Sequence, residues 1–139
     1  MKRKIMYTGL GFLALGFVLM ACNSEEPLTP TEEAQQELLE AIQGTWTAVE
    51  VRKDGTLITD FEGFTLTISD KSYTTTNGSP VWPSDGSFDF STVETENEFI
   101  RQDGRLFTVS ESGSAYLVTI IYQEQNARGE FGTFEFFIE

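Results

Sequence analysis

The chain contains no histidine and only one cysteine, and its nine lysines and arginines face 22 aspartates and glutamates. Without imidazole, Ser-His-Asp and Cys-His catalysis are excluded, as are histidine metal sites and the commonest side chain for acid–base work. A single cysteine cannot form an intramolecular disulfide, so the fold must rest on its core. A formal charge of −13 repels nucleic-acid phosphates and anionic lipid headgroups, which argues against nucleic acid as a partner. Carboxylates are what remain for chemistry. Among so many acids, chance pairs are frequent, and a glycosidase-like pair carries little information. Asp85-Gly86-Ser87-Phe88-Asp89 places acids and a hydroxyl around a glycine but lacks the spacing of an EF-hand loop, so a solvated hairpin turn is expected there. No enzyme, metal or cofactor is predicted.

The first residues are set aside from the fold. Lys2, Arg3 and Lys4 form a basic start, and Ile5 to Met20 is an apolar run without charge. That run is shorter than the roughly 20 residues that cross a bilayer comfortably. It ends in Leu19-Met20-Ala21-Cys22, which resembles the lipobox of bacterial lipoprotein signal peptides. The resemblance implies cleavage after Ala21 and acylation of Cys22. The membrane partner is then reached through lipid on Cys22, and thiolate or zinc chemistry at that sulfur is ruled out. Loss of the basic start leaves six basic residues against the same 22 acids, moving the formal charge from −13 to −16 over a mature chain of 118 residues.

Four regions follow: a signal over 1–21, an acidic tether over 22–28, a helix over 29–43 and a β domain over 44–139. Ser24-Glu25-Glu26 resembles the acidic tract of surface-exported lipoproteins of the Bacteroidetes type, which implies an outer-membrane anchor with the domain facing outward. In the helix, Thr29 is a good N-cap, Pro30 suits the first position and Glu32 sits three after the cap. Ala34, Leu38, Ala41 and Ile42 share one face, and Gly44 ends the helix. So narrow a stripe cannot stand alone and must dock on the β domain.

From Thr45 the period changes to alternation. Phe64 to Ile68, Ser87 to Phe90, Arg105 to Ser110, Ala115 to Tyr122 and Phe131 to Ile138 read as strands. Asp54-Gly55, Asn77-Gly78, Asp85-Gly86 and Asp103-Gly104 read as tight turns. About eight short strands with no gap for a crossover helix predict an all-β, antiparallel up-and-down meander, closed into a barrel or strongly curved.

Aromatic residues are dense in this domain. Gly44-Thr45-Trp46 opens the first strand directly after a helix, and the run from Phe61 through Val81-Trp82-Pro83 to Asp103-Gly104 continues the pattern. Together these resemble the lipocalin-like lipoproteins of Bacteroidetes over residues 43 to 139. The resemblance implies a small apolar ligand at the open end of a barrel. Lipocalins also carry an arginine near the last strand that stacks on the first-strand tryptophan; the nearest basic residue here is Arg128. Trp46 is expected to be core, wedged beside Leu38 or Ile42. Trp82, flanked by Pro80 and Pro83, has two expectations: a plug that fills the core as Trp46 does, or a lid at a barrel mouth, with Tyr73, Phe88 and Phe107 as further ligand contacts. The rival expectation is an interior filled by its own side chains, with the protein serving as an interaction or envelope-assembly module. Oligomeric state is left open.

Overall fold

The computed structural model describes residues 27–123 and 131–139. The signal, Cys22, most of the tether and Arg128 lie outside the described residues.

The helix α1 (Pro30–Ala41) begins as its residues dictate. Thr29 is extended, its hydroxyl accepts the Glu32 N–H at 3.2 Å, and Glu32 and Glu33 sit at the positive end of the dipole. Nine strands follow: β1 (Gly44–Lys53), β2 (Thr56–Ile58), β3 (Thr65–Ser69), β4 (Ser72–Thr76), β5 (Asp85–Phe90), β6 (Glu98–Arg101), β7 (Leu106–Ser112), β8 (Ala115–Gln123) and β9 (Phe131–Ile138). Every pairing is antiparallel between sequence neighbours, save two made by β1, which also pairs with β3 and with β9.

The β1–β9 pairing closes the sheet into a barrel. β2 pairs with the second half of β1, Val51 opposite Ile58, and β3 with the first half, Trp46 opposite Leu66. They are thus two pieces of one stave, interrupted by residues 59–64, and the closed barrel has eight staves. On the opposite flank of β1 the register with β9 slips between Ala48 and Glu50, a bulge centred on Val49.

Two of the expected turns hold. Asp54 and Gly55 both have positive φ, 50° and 84°, between β1 and β2, as a tight hairpin of this kind requires. Asp103 and Gly104 join β6 to β7. Two others differ. Asp85-Gly86 is the start of β5, with Gly86 paired to Tyr73, because the strand needs a residue without a side chain where the tyrosine ring lies. Asn77-Gly78 opens an irregular segment to Ser84 that folds into the end of the barrel. A Cβ on Gly78 would stand 2.7 Å from the Trp82 Cβ and 2.9 Å from the Phe64 ring. Glycine there permits the approach that buries the tryptophan.

Alternation places one side chain in two inside. Leu66 and Ile68, Phe107 and Val109, Val118, Ile120 and Tyr122, and Phe134, Phe136 and Ile138 are buried. α1 lies across one end: Leu38 and Leu39 pack on this core, and Ile42 is part of it. Gln35, buried on the helix, donates from Nε2 to the carbonyls of Thr92 and Thr95 at 2.7 Å each, tying α1 to the β5–β6 connection. Gln43 ties its other end to Asp70 in the β3–β4 turn.

Candidate functional site

Trp82 stands at the centre of the end opposite α1. Its exposure is 1%. It meets Tyr73 and Phe107 edge-on, both at 5.3 Å between centroids, and lies 6.5 Å from Phe64 and from Phe136. Phe88 joins the group 5.7 Å from Phe107 and 6.5 Å from Tyr73. The four side chains expected to contact a ligand are therefore brought together, but as mutually packed rings. Trp82 is buried, as a plug rather than a lid would be, because Gly78 lets its segment turn inward and the Trp82 backbone N–H donates to the Gly78 carbonyl at 2.7 Å.

The expectation for Trp46 is corrected. It sits against α1 as expected, its indole N–H donating to the Ile42 carbonyl at 2.8 Å, with Tyr116 edge-on at 5.2 Å. Yet it is only half-buried, on the rim where helix and barrel meet. Gly44 does not merely end the helix. It is the first residue of β1, at φ 115°, the conformation that swings the chain from α1 into the sheet.

Arg101 holds the Trp82 end together, and the reading of the sequence passed over it. Its side chain is 1% exposed. The guanidinium lies 5.0 Å over the Trp82 ring, donates to the Val81 carbonyl at 2.8 Å and engages the Asp103 carboxylate through Nε and Nη2, the latter at 2.5 Å. A buried cation is tolerated only when paired and hydrogen-bonded in this way. The signal was present in the alternation. Arg101 is in phase with buried Phe99, two residues before it, so a strand over 98–101 points both inward.

Electrostatics follow from this packing. Hydrogen bonds from Arg101 hold the Asp103 carboxyl below the usual carboxylate range, against the opposing effect of partial burial. Lys71 does the same to Asp89, at 2.8 Å. Burial pushes the Tyr73 hydroxyl up, with Arg101 nearby opposing it. Two buried polar atoms in this cluster, the Tyr73 hydroxyl and the Trp82 indole nitrogen, have no hydrogen-bond partner among the described residues. All five described cations, Arg52, Lys53, Lys71, Arg101 and Arg105, lie over aromatic rings.

Of the four rings, Trp82, Tyr73 and Phe88 line none of the clefts found among the described residues, and Phe107 borders one of them. One groove runs along β1 and β2 beside Val49 and Leu57; another crosses β7 and β8 beside Leu106 and Ile121. Among the described residues no three carboxylates converge to hold a metal ion. No family model matches this chain, and no curated protein or solved structure does.

Proposed function

We propose that the mature chain is a lipid-anchored interaction module of the bacterial envelope, held at Cys22 in the outer membrane and facing outward, with a barrel that serves as a scaffold and carries no catalytic centre. The observation that carries this reading is the position of Trp82. The place where a lipocalin-like barrel would receive a ligand is occupied by that indole, its ring neighbours and the Arg101–Asp103 pair. Large aliphatic side chains instead sit on the outside, where Val49, Leu57, Leu106 and Ile121 are exposed. They fall as two pairs, one on β1 and β2 and one on β7 and β8, and exposed apolar pairs of this kind offer contacts to a partner.

Anchoring rests on acyl chains at one cysteine, each buried CH₂ contributing about 0.8 kcal/mol. Metabolic labelling with a palmitate analogue should mark the wild type and not Cys22→Ser, and the variant should leave the membrane fraction. Protease treatment of intact cells should remove the domain. Label on the serine variant, or protection from protease, would refute the anchor or the outward face respectively.

A second reading has one observation in its favour. The Tyr73 hydroxyl and the Trp82 indole N–H are donors without partners among the described residues of an aromatic interior, which suits an apolar ligand bearing one acceptor group, admitted where residues 77–84 swing aside. Native mass spectrometry of protein from its own host decides between the two. A bare polypeptide mass favours the scaffold, and a co-purified lipophile overturns it.

A further inference from the structure

Every described strand except β2 is hydrogen-bonded on both sides. β2 pairs with β1 alone, and no backbone hydrogen bond joins it to any other described segment. The reason lies in residues 59–64, which leave the stave after Ile58, bury Phe61 against Phe134 and Phe136, and return as β3. The second half of the stave therefore has a neighbour while the first half ends in open backbone. An unpaired strand edge has one natural complement, another extended chain.

The surroundings of this edge specify that chain further. Leu57, at the middle of β2, is 61% exposed, and it is the residue of the strand whose backbone turns away from β1, since Thr56 and Ile58 alternate toward it. An extended segment lying on β2 would set a side chain beside Leu57 on the outer face of the sheet. Just beyond the strand stand Asp60 and Glu62, both exposed and paired with no cation among the described residues. The nearby cations are already engaged: Arg52 with Glu50 at 2.7 Å and the Phe137 ring, Lys53 over the Phe134 ring.

We infer that the β2 edge is the docking site of a partner protein, which adds a short extended segment to the sheet, with an aliphatic side chain beside Leu57 and basic side chains toward Asp60 and Glu62. This rests on the interaction-module reading and names the kind of partner. A second copy of the chain fits less well, because it would set two strongly acidic molecules edge to edge.

The test uses the full chain as purified from its producing cell and a fluorescent alternating Lys-Val peptide of about eight residues. Binding is read by anisotropy, and its place by hydrogen exchange. New protection is expected at the Leu57 amide, which points away from β1, and in the adjoining residues to Glu62. The Glu-Val counterpart, and a Lys-Val peptide N-methylated at alternate residues so that one edge cannot donate, should each bind about tenfold more weakly or worse. Leu57→Glu, on an exposed side chain, and the double change Asp60→Asn with Glu62→Gln should weaken the parent peptide without altering the unfolding midpoint by more than a small amount. Equal binding by the N-methylated peptide, or protection elsewhere, overturns strand addition. Protection of β2 that grows with protein concentration and no peptide also overturns it, in favour of self-pairing. None of these outcomes bears on whether the barrel holds a lipophile, so the docking site and the module reading fail separately.

Discussion

At the scale of the residue, the two tryptophans differ in burial, Trp82 filling the core and Trp46 sitting half-buried at the rim. The prolines beside Trp82 do exclude a regular ladder, and the structure has none there. An irregular segment can still be buried when its polar groups are met, and here Gly78, the Trp82 N–H and the Val81 carbonyl meet them. Trp82→Ala should cost about 3–5 kcal/mol, the range for a fully buried large aromatic. Trp46→Ala should cost less, about 2 kcal/mol, for partial burial and one lost hydrogen bond. Denaturant unfolding followed by the surviving tryptophan checks the ranking, and a larger loss from Trp46 would contradict the packing described. Arg101 and Asp103 make a pH prediction. Asp103 has its folded-state value depressed, so its contribution is present above the unfolded value near about 3.9 and disappears as pH falls through the lower folded value. Tyr73 is raised, so its contribution holds below the unfolded value near about 10 and is lost as pH rises further. Unfolding midpoints measured across pH should fall at both extremes. Asp103→Asn should flatten the acid limb and lower the plateau, since it leaves the Arg101 charge buried with one fewer partner. A full acid limb in that variant would place the titration elsewhere.

At the scale of the element, the helix and most strands were legible because their signals are local. Thr29, Pro30 and Glu32 mark the start of α1, and the alternation of Phe64 to Ile68 marks β3. What was not legible is set by distant partners. Asp85-Gly86 has the composition of a turn, yet β4 recruits it as a strand because Gly86 leaves room for the Tyr73 ring. Gln35 lies on a helix with a weak apolar stripe and would be taken for surface. Its burial depends on two carbonyls far along the chain, those of Thr92 and Thr95. Gln35→Ala should leave both without this donor and cost about 1–3 kcal/mol. It should also speed hydrogen exchange over residues 91–97 and in α1 while leaving β7–β9 protected. Unchanged exchange in the β5–β6 connection would show that the helix docks by its apolar side chains alone.

At the scale of the whole molecule, the barrel was legible as a count of strands and turns, whereas its closure was not, because a meander with the same turns can stay open. Closure depends on β1 pairing with β9, and its long-range match between Val51 and Phe136 has no local signature. Charge acts at this scale too. The described ion pairs neutralise only Glu50, Asp89 and Asp103, so most carboxylates repel one another across the surface. Moderate salt should therefore raise the unfolding midpoint, reaching most of its effect once the screening length falls to about 10 Å near 0.1 M. A midpoint that fell with salt would mean that the few ion pairs outweigh the repulsion.

The same β1–β9 pairing carries a consequence for how the protein is made. Thr47 exchanges backbone hydrogen bonds with Glu139, both at 2.9 Å, and Ala48 through Lys53 take their partners from residues 134 to 138. The strand synthesised first thus waits for the strand synthesised last. Until β9 is available, β1 has one flank open and the interior lacks Phe134, Phe136 and Ile138. Contacts this distant in sequence form slowly, because the chain must close a long loop before they are rewarded. A growing polypeptide of this kind cannot close its barrel while β9 is still missing, however many of the earlier hairpins have formed. Its structure is complete only once β9 is free to pair with β1.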